Sequence, residues 1–152
     1  MGLNLSGGLA VFLVSGLGGI WLAGQATADG AVFTAAQAEA GRKAYQAQCA
    51  SCHAGDLGGR DDAPALTGDT FMAAWGARTT TELFDFVRTT MPPEGSSMTP
   101  DEYLAIVAHV LGQNGAKAGS SPLTATTGAT INVVATGKRP PSVLDVPMMA
   151  RR

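Results

Sequence analysis

The chain has 152 residues, room for one domain rather than two, and carries 12 acidic and 10 basic side chains for a net charge of −2. It shows no basic stripe, which excludes nucleic acid as a partner. The charge is unevenly spread: residues 29–118 hold eleven acidic and six basic residues (−5), and residues 119–152 hold one acidic and four basic (+3).

The first 28 residues contain no charged side chain. "LAVFLVSGLGGIWLAG" is an apolar run, and Ala26, Thr27 and Ala28 after it form a small-x-small cleavage pattern. This predicts a signal peptide over residues 1–28 and a mature chain from near Asp29. Two features favour an uncleaved anchor instead. No Lys or Arg precedes the run, and its length approaches the roughly 20 residues that span a bilayer. Both readings place the remainder outside the cytoplasm, in the periplasm, with membrane association possible through the leader.

"FTAAQAEAGRKAYQAQCA" predicts a helix, with Thr34 as its cap and Gln37 at the capping-box position. It runs into "QCASCHAGD", which holds both cysteines of the chain, Cys49 and Cys52, and one of its two histidines, His53. A disulfide across C-x-x-C closes a tiny loop and leaves the histidine without a role. A redox pair would need a βαβ setting that this chain lacks. Zinc would need a second ligand pair, and His109 stands alone far downstream. C-x-x-C-H is the attachment signature of c-type haem. Thiols three residues apart at a helix end can both join one side of a porphyrin, and the next residue offers its imidazole to the iron. The spacing therefore predicts Cys49 and Cys52 as covalent anchors of one haem c and His53 as an iron ligand.

"HAGDLGGRDDAPALTGD" reads as loop, "DTFMAAWGA" and "TTELFDFVRTT" as short helices, and "MPPEGSSM" as irregular chain. "TPDEYLAIVAHVLGQNG" predicts the clearest helix, with a Thr99/Glu102 capping box, Pro100 in the first turn and Gly112 or Gly115 as the stop. Its apolar stripe is Tyr103, Ile106, Val107, Val110 and Leu111, which puts His109 on the solvent flank. A thioether can fill the second axial position and raise the potential. Met91 opens the proline-rich loop and is the first choice, with Met98 in the same loop as its competitor. Met72 reads as core filler, and Met148 and Met149 lie far along the chain. From Gly119 no period is sustained. The segment predicts an extended or disordered basic tail over residues 119–152, with "TINVVAT" as a candidate short strand.

Three stretches, "GRKAYQAQCASCHAGDLGG", "APALTGDTFMAAW" and "LFDFVRTTMPPEGSSMTPDEYLAIVAHVLGQNG", together resemble a class I mono-haem cytochrome c with His/Met ligation. The chain is similar to the cytochrome c subunits that serve periplasmic dehydrogenases. The resemblance covers residues 35–115 and implies an all-α fold of three to four helices around one covalent haem, in a domain spanning residues 29–118. It implies that the first and last helices cross, with Gly41 near Tyr103 and Val107. It implies Cys49 and Cys52 as thioether anchors and His53 and Met91 as iron ligands. It further implies that the Pro64 loop accepts the His53 ring N–H and that Trp75 sits near the haem propionates. Leu66, Phe71, Trp75, Leu83, Phe86, Val87 and Val107 are expected around the porphyrin, which supplies the centre of an otherwise thin core. The implied function is single-electron transfer, with a dehydrogenase or oxidase as redox partner, and not enzymatic turnover by this chain alone. The rival readings are a haem enzyme or sensor with an open distal site, and a purely structural subunit of a membrane complex.

Overall fold

The computed structural model describes Gly2, residues 30–61 and residues 63–141. The expected leader apart from Gly2, and residues 142–152 of the expected tail with Met148 and Met149, lie outside these described residues. Among the latter, no helix is long and apolar enough to cross a membrane. The fold is all-α, with six helices and one pair of two-residue strands among the described residues.

Helix α1, Ala35–Gln48, begins where the Thr34 hydroxyl accepts the Gln37 N–H at 3.1 Å. The Gln37 side chain does not complete the capping box. It donates to the Leu123 carbonyl at 2.9 Å and accepts the Leu123 N–H at 2.8 Å, clasping a residue far along the chain. One turn, α2 (Ala50–His53), follows, then a loop, α3 (Gly68–Trp75) and α4 (Thr80–Thr90). α4 starts with a full capping box between Thr79 and Glu82. α5, Pro100–Gln113, starts with the expected box between Thr99 and Glu102. In both boxes the cap residue's backbone N–H and hydroxyl donate to the glutamate and hold its carboxyl below the usual range. α5 stops at Asn114 and Gly115, the latter at φ +86°, where glycine avoids the Cβ clash.

α1 and α5 cross as expected, but the closest approach differs in detail. Gly41 meets the backbone of Ala105 and Ile106, and a Cβ at Gly41 would overlap the Ala105 carbonyl. α5 also packs on α4, and every residue from Tyr103 to Leu111 is buried. A helix covered on several faces is not described by one stripe. His109 is therefore not on a solvent flank: it is 6% exposed, with its ring 5.6 Å from that of Tyr45.

The chain beyond Gly119 also departs from expectation, because residues 119–141 form part of the packed body. Ala118–Gly119 (β2) pairs in parallel with Phe33–Thr34 (β1). Leu123, Ile131 and Ala135 are each at most 2% exposed. "TINVVAT" holds a single helical turn, α6 (Ile131–Val134), rather than a strand. The segment lacks a sustained period because, apart from single local turns, many of its backbone groups bond to the body. Ile131 N–H donates to Arg78 O at 2.9 Å and Asn132 N–H to Gly76 O at 2.8 Å. The N–H groups of Thr136 and Gly137 converge on Asn114 O at 3.0 and 2.9 Å. Thr80 Oγ1 donates to the Thr127 carbonyl. The packed unit therefore extends past residue 118 as a strap reaching α1, α3, α4 and the end of α5. Arg139 closes it by donating to the Asp56 carbonyl at 2.5 Å.

Candidate haem-binding site

Cys49 is both the C-cap of α1 and the N-cap of α2, so the chain bends where the first thiol sits. The His53 N–H donates to Cys49 O at 2.9 Å, which sets the imidazole one turn beyond that thiol. Tyr45, fully buried on α1, donates its hydroxyl to Ala54 O at 2.7 Å and secures the exit from α2. The two cysteines are not bridged to each other, and Cys49 is half-buried and Cys52 exposed. Burial, with Cys52 adding to it, pushes the Cys49 thiol up to about 11.

The loop after α2 folds back on itself. Arg60 and Ala63 exchange backbone hydrogen bonds of 2.9 and 2.7 Å, and Leu66 N–H reaches Leu57 O at 2.9 Å. Gly59, at φ +79°, lets the two limbs close, since a Cβ there would lie 2.6 Å from Ala65 N. This hairpin brings the Pro64 carbonyl to 2.9 Å from His53 Nδ1. A carbonyl can only accept, so Nδ1 carries the proton and Nε2 keeps its lone pair. The other end of the loop is held by Asn114, whose Nδ2 donates to Leu66 O at 2.9 Å and whose Oδ1 accepts Gly68 N–H at 3.0 Å.

Met91 caps the C-terminus of α4, its N–H bonded to Val87 O at 3.0 Å. Its own carbonyl accepts the Tyr103 hydroxyl of α5 at 2.9 Å. Trp75 closes α3, with the Phe86 ring 5.1 Å away and the Arg78 guanidinium 4.9 Å from its own ring centre.

These groups converge on one open apolar cleft. Cys49, Cys52, His53, Pro64, Trp75 and Met91 all line it, as do all seven apolar residues expected around a porphyrin. Met98 is packed against the core and Met72 lies beside Gly76 and Gly137; neither lines the cleft. Phe86 stands at the mouth, 41% exposed. The cleft fits a flat, largely apolar group with one metal at its centre. Two thiols and an imidazole ring stand at its wall. Among the described residues, no three His, Cys, Asp or Glu side chains cluster. The hydroxyl of Tyr103 and the amide of Asn114 escaped the sequence reading. A tyrosine within an aliphatic stripe was the one local sign of the first.

Residues 36–110, about half of the chain, match the family of Cytochrome C oxidase, cbb3-type, subunit III. No match was found among curated proteins or among solved structures. The C-x-x-C-H turn, the apolar cleft that it borders and this match over residues 36–110 together assign the chain to the mono-haem c-type cytochromes, whose iron-containing haem c is covalently bound.

Proposed function

We propose that the chain is an exported electron carrier whose haem iron is ligated by His53 and Met91 and which passes single electrons between redox proteins. The observation that carries the ligand assignment is the joint presence of His53 and Met91 in the wall of the cleft that also holds both thiols, while Met98 lies outside it. The haem, when bound, supplies a one-electron ferric/ferrous couple. The chain's own residues do the rest. Cys49 and Cys52 tether the group, and the Pro64 carbonyl fixes the His53 tautomer and ring orientation. Leu66, Phe71, Leu83 and Val107 keep water from the buried side, which tunes the potential. With His53 and Met91 both holding the iron, the chain would leave no open position on it for a substrate.

A dehydrogenase or an oxidase is the partner class that suits such a carrier, either as separate proteins or as one complex. The uncharged apolar leader supports a periplasmic location, with the membrane as an attachment point if the leader is retained. The test is spectroscopic. The ferric protein shows a sulfur-to-iron charge-transfer band that Met91→Ala abolishes and Met98→Ala retains. Retention of the band in Met91→Ala refutes the ligand assignment, and tight CO binding by the unmodified ferrous protein refutes the closed-site carrier. Intact mass of the purified chain reports haem addition and leader removal together.

A further inference from the structure

The backbone of Met91 is gripped at both polar atoms. Its N–H is tied to α4 through Val87 O, and its carbonyl is tied to α5 through the Tyr103 hydroxyl at 2.9 Å. The chain that follows has few other fixings. Pro92 and Pro93 have no N–H to donate, and the remaining hydrogen bonds of residues 92–98 are local, Gly95 N–H to Pro92 O and Met98 N–H to Ser96 Oγ, both 2.9 Å. Among the described residues, Tyr103 supplies the one side-chain hydrogen bond that reaches residues 91–98 from outside that loop. The donor itself is rigidly mounted. Its residue is 5% exposed, in the first turns of a helix whose start is closed by the Thr99/Glu102 box.

We propose that the Tyr103 hydroxyl is the positioning group for the distal iron ligand: by holding the Met91 carbonyl, it keeps the Met91 sulfur at the metal. The inference rests on Met91 being that ligand. An added ligand can reach the iron only in molecules whose Met91 has swung away, so its apparent affinity scales with the population of that open form. Loss of one hydrogen bond raises this population about three- to tenfold.

The test uses the ferric holoprotein titrated with imidazole. Tyr103→Phe keeps the buried ring and loses only the donor, and it binds imidazole about three- to tenfold more tightly. Tyr103→Leu, which also lacks the hydroxyl, shifts the affinity in the same direction. Gln37→Ala breaks the clasp on Leu123, away from the loop, and leaves imidazole affinity within about twofold of the unmodified protein. If Tyr103→Phe binds imidazole as the unmodified protein does while Met91→Ala still loses its sulfur-to-iron band, the positioning role is overturned and the ligand assignment stands. If Met91→Ala keeps the band, both are overturned. An equal shift in Gln37→Ala would mean general softening and would also overturn the positioning role.

Discussion

Ile131→Ala tests whether the strap after Gly119 belongs to the cooperative unit. Ile131 is 0% exposed in α6, and its N–H bonds to Arg78 O. The substitution removes three buried carbons, worth about 2.4 kcal/mol at about 0.8 kcal/mol each. The cavity left behind brings the expected loss to about 3–4 kcal/mol, within the usual range for such truncations. Val133 supplies the internal control. It sits two residues away in the same helical turn but is 78% exposed, so Val133→Ala changes stability by less than about 0.5 kcal/mol. The assay is urea unfolding of the holoprotein by far-UV circular dichroism, with the m-value held to the same two-state fit. A loss below about 1 kcal/mol for Ile131→Ala, or equal losses for the two variants, would refute the packing of this segment.

Two further outcomes follow from buried polar groups. Asn114 is 0% exposed and its side chain serves Leu66 O, Val110 O and Gly68 N–H, so Asn114→Ala strands buried partners and costs about 2–4 kcal/mol, with faster hydrogen exchange at the Gly68 amide. His109 is buried with no hydrogen bond to Nε2, and that burial, with Arg42 adding to it, lowers its pKa below the usual 6.5. The unfolded chain therefore binds this proton more readily than the folded one, so the stability associated with His109 is complete above about 6.5 and declines as the pH falls toward the lowered value. Urea midpoints measured from pH 8 to 5 show this decline, and His109→Phe removes that part of the slope.

The candidate site was legible where its pattern is local. Cys49, Cys52 and His53 lie within one turn, and the Thr99/Glu102 box and Pro100 announce α5 by short-range rules. Met91 was legible as the residue that opens the proline-rich loop, and it is the C-cap at which α4 ends. What failed depends on distant partners. The strap has no period because Gln37, Arg78 and Asn114 satisfy its backbone from elsewhere in the chain. His109 was misassigned because an Ala- and Val-rich helix such as α5 gives no sign of how many faces its neighbours cover. Gly41 was legible as a crossing point, but the helix residue opposite it depends on the crossing angle, which no pattern in α1 encodes.

The strap also sets an order of events during synthesis. A ribosome delivers both thiols, the imidazole and Met91 before it delivers Leu123, Ile131 or Ala135. The haem-contacting helices are therefore complete while Asn114 O and Arg78 O still await the N–H groups that will occupy them. A chain halted near residue 118 holds every cleft-lining residue without the strap that bonds to Arg78 O and Asn114 O.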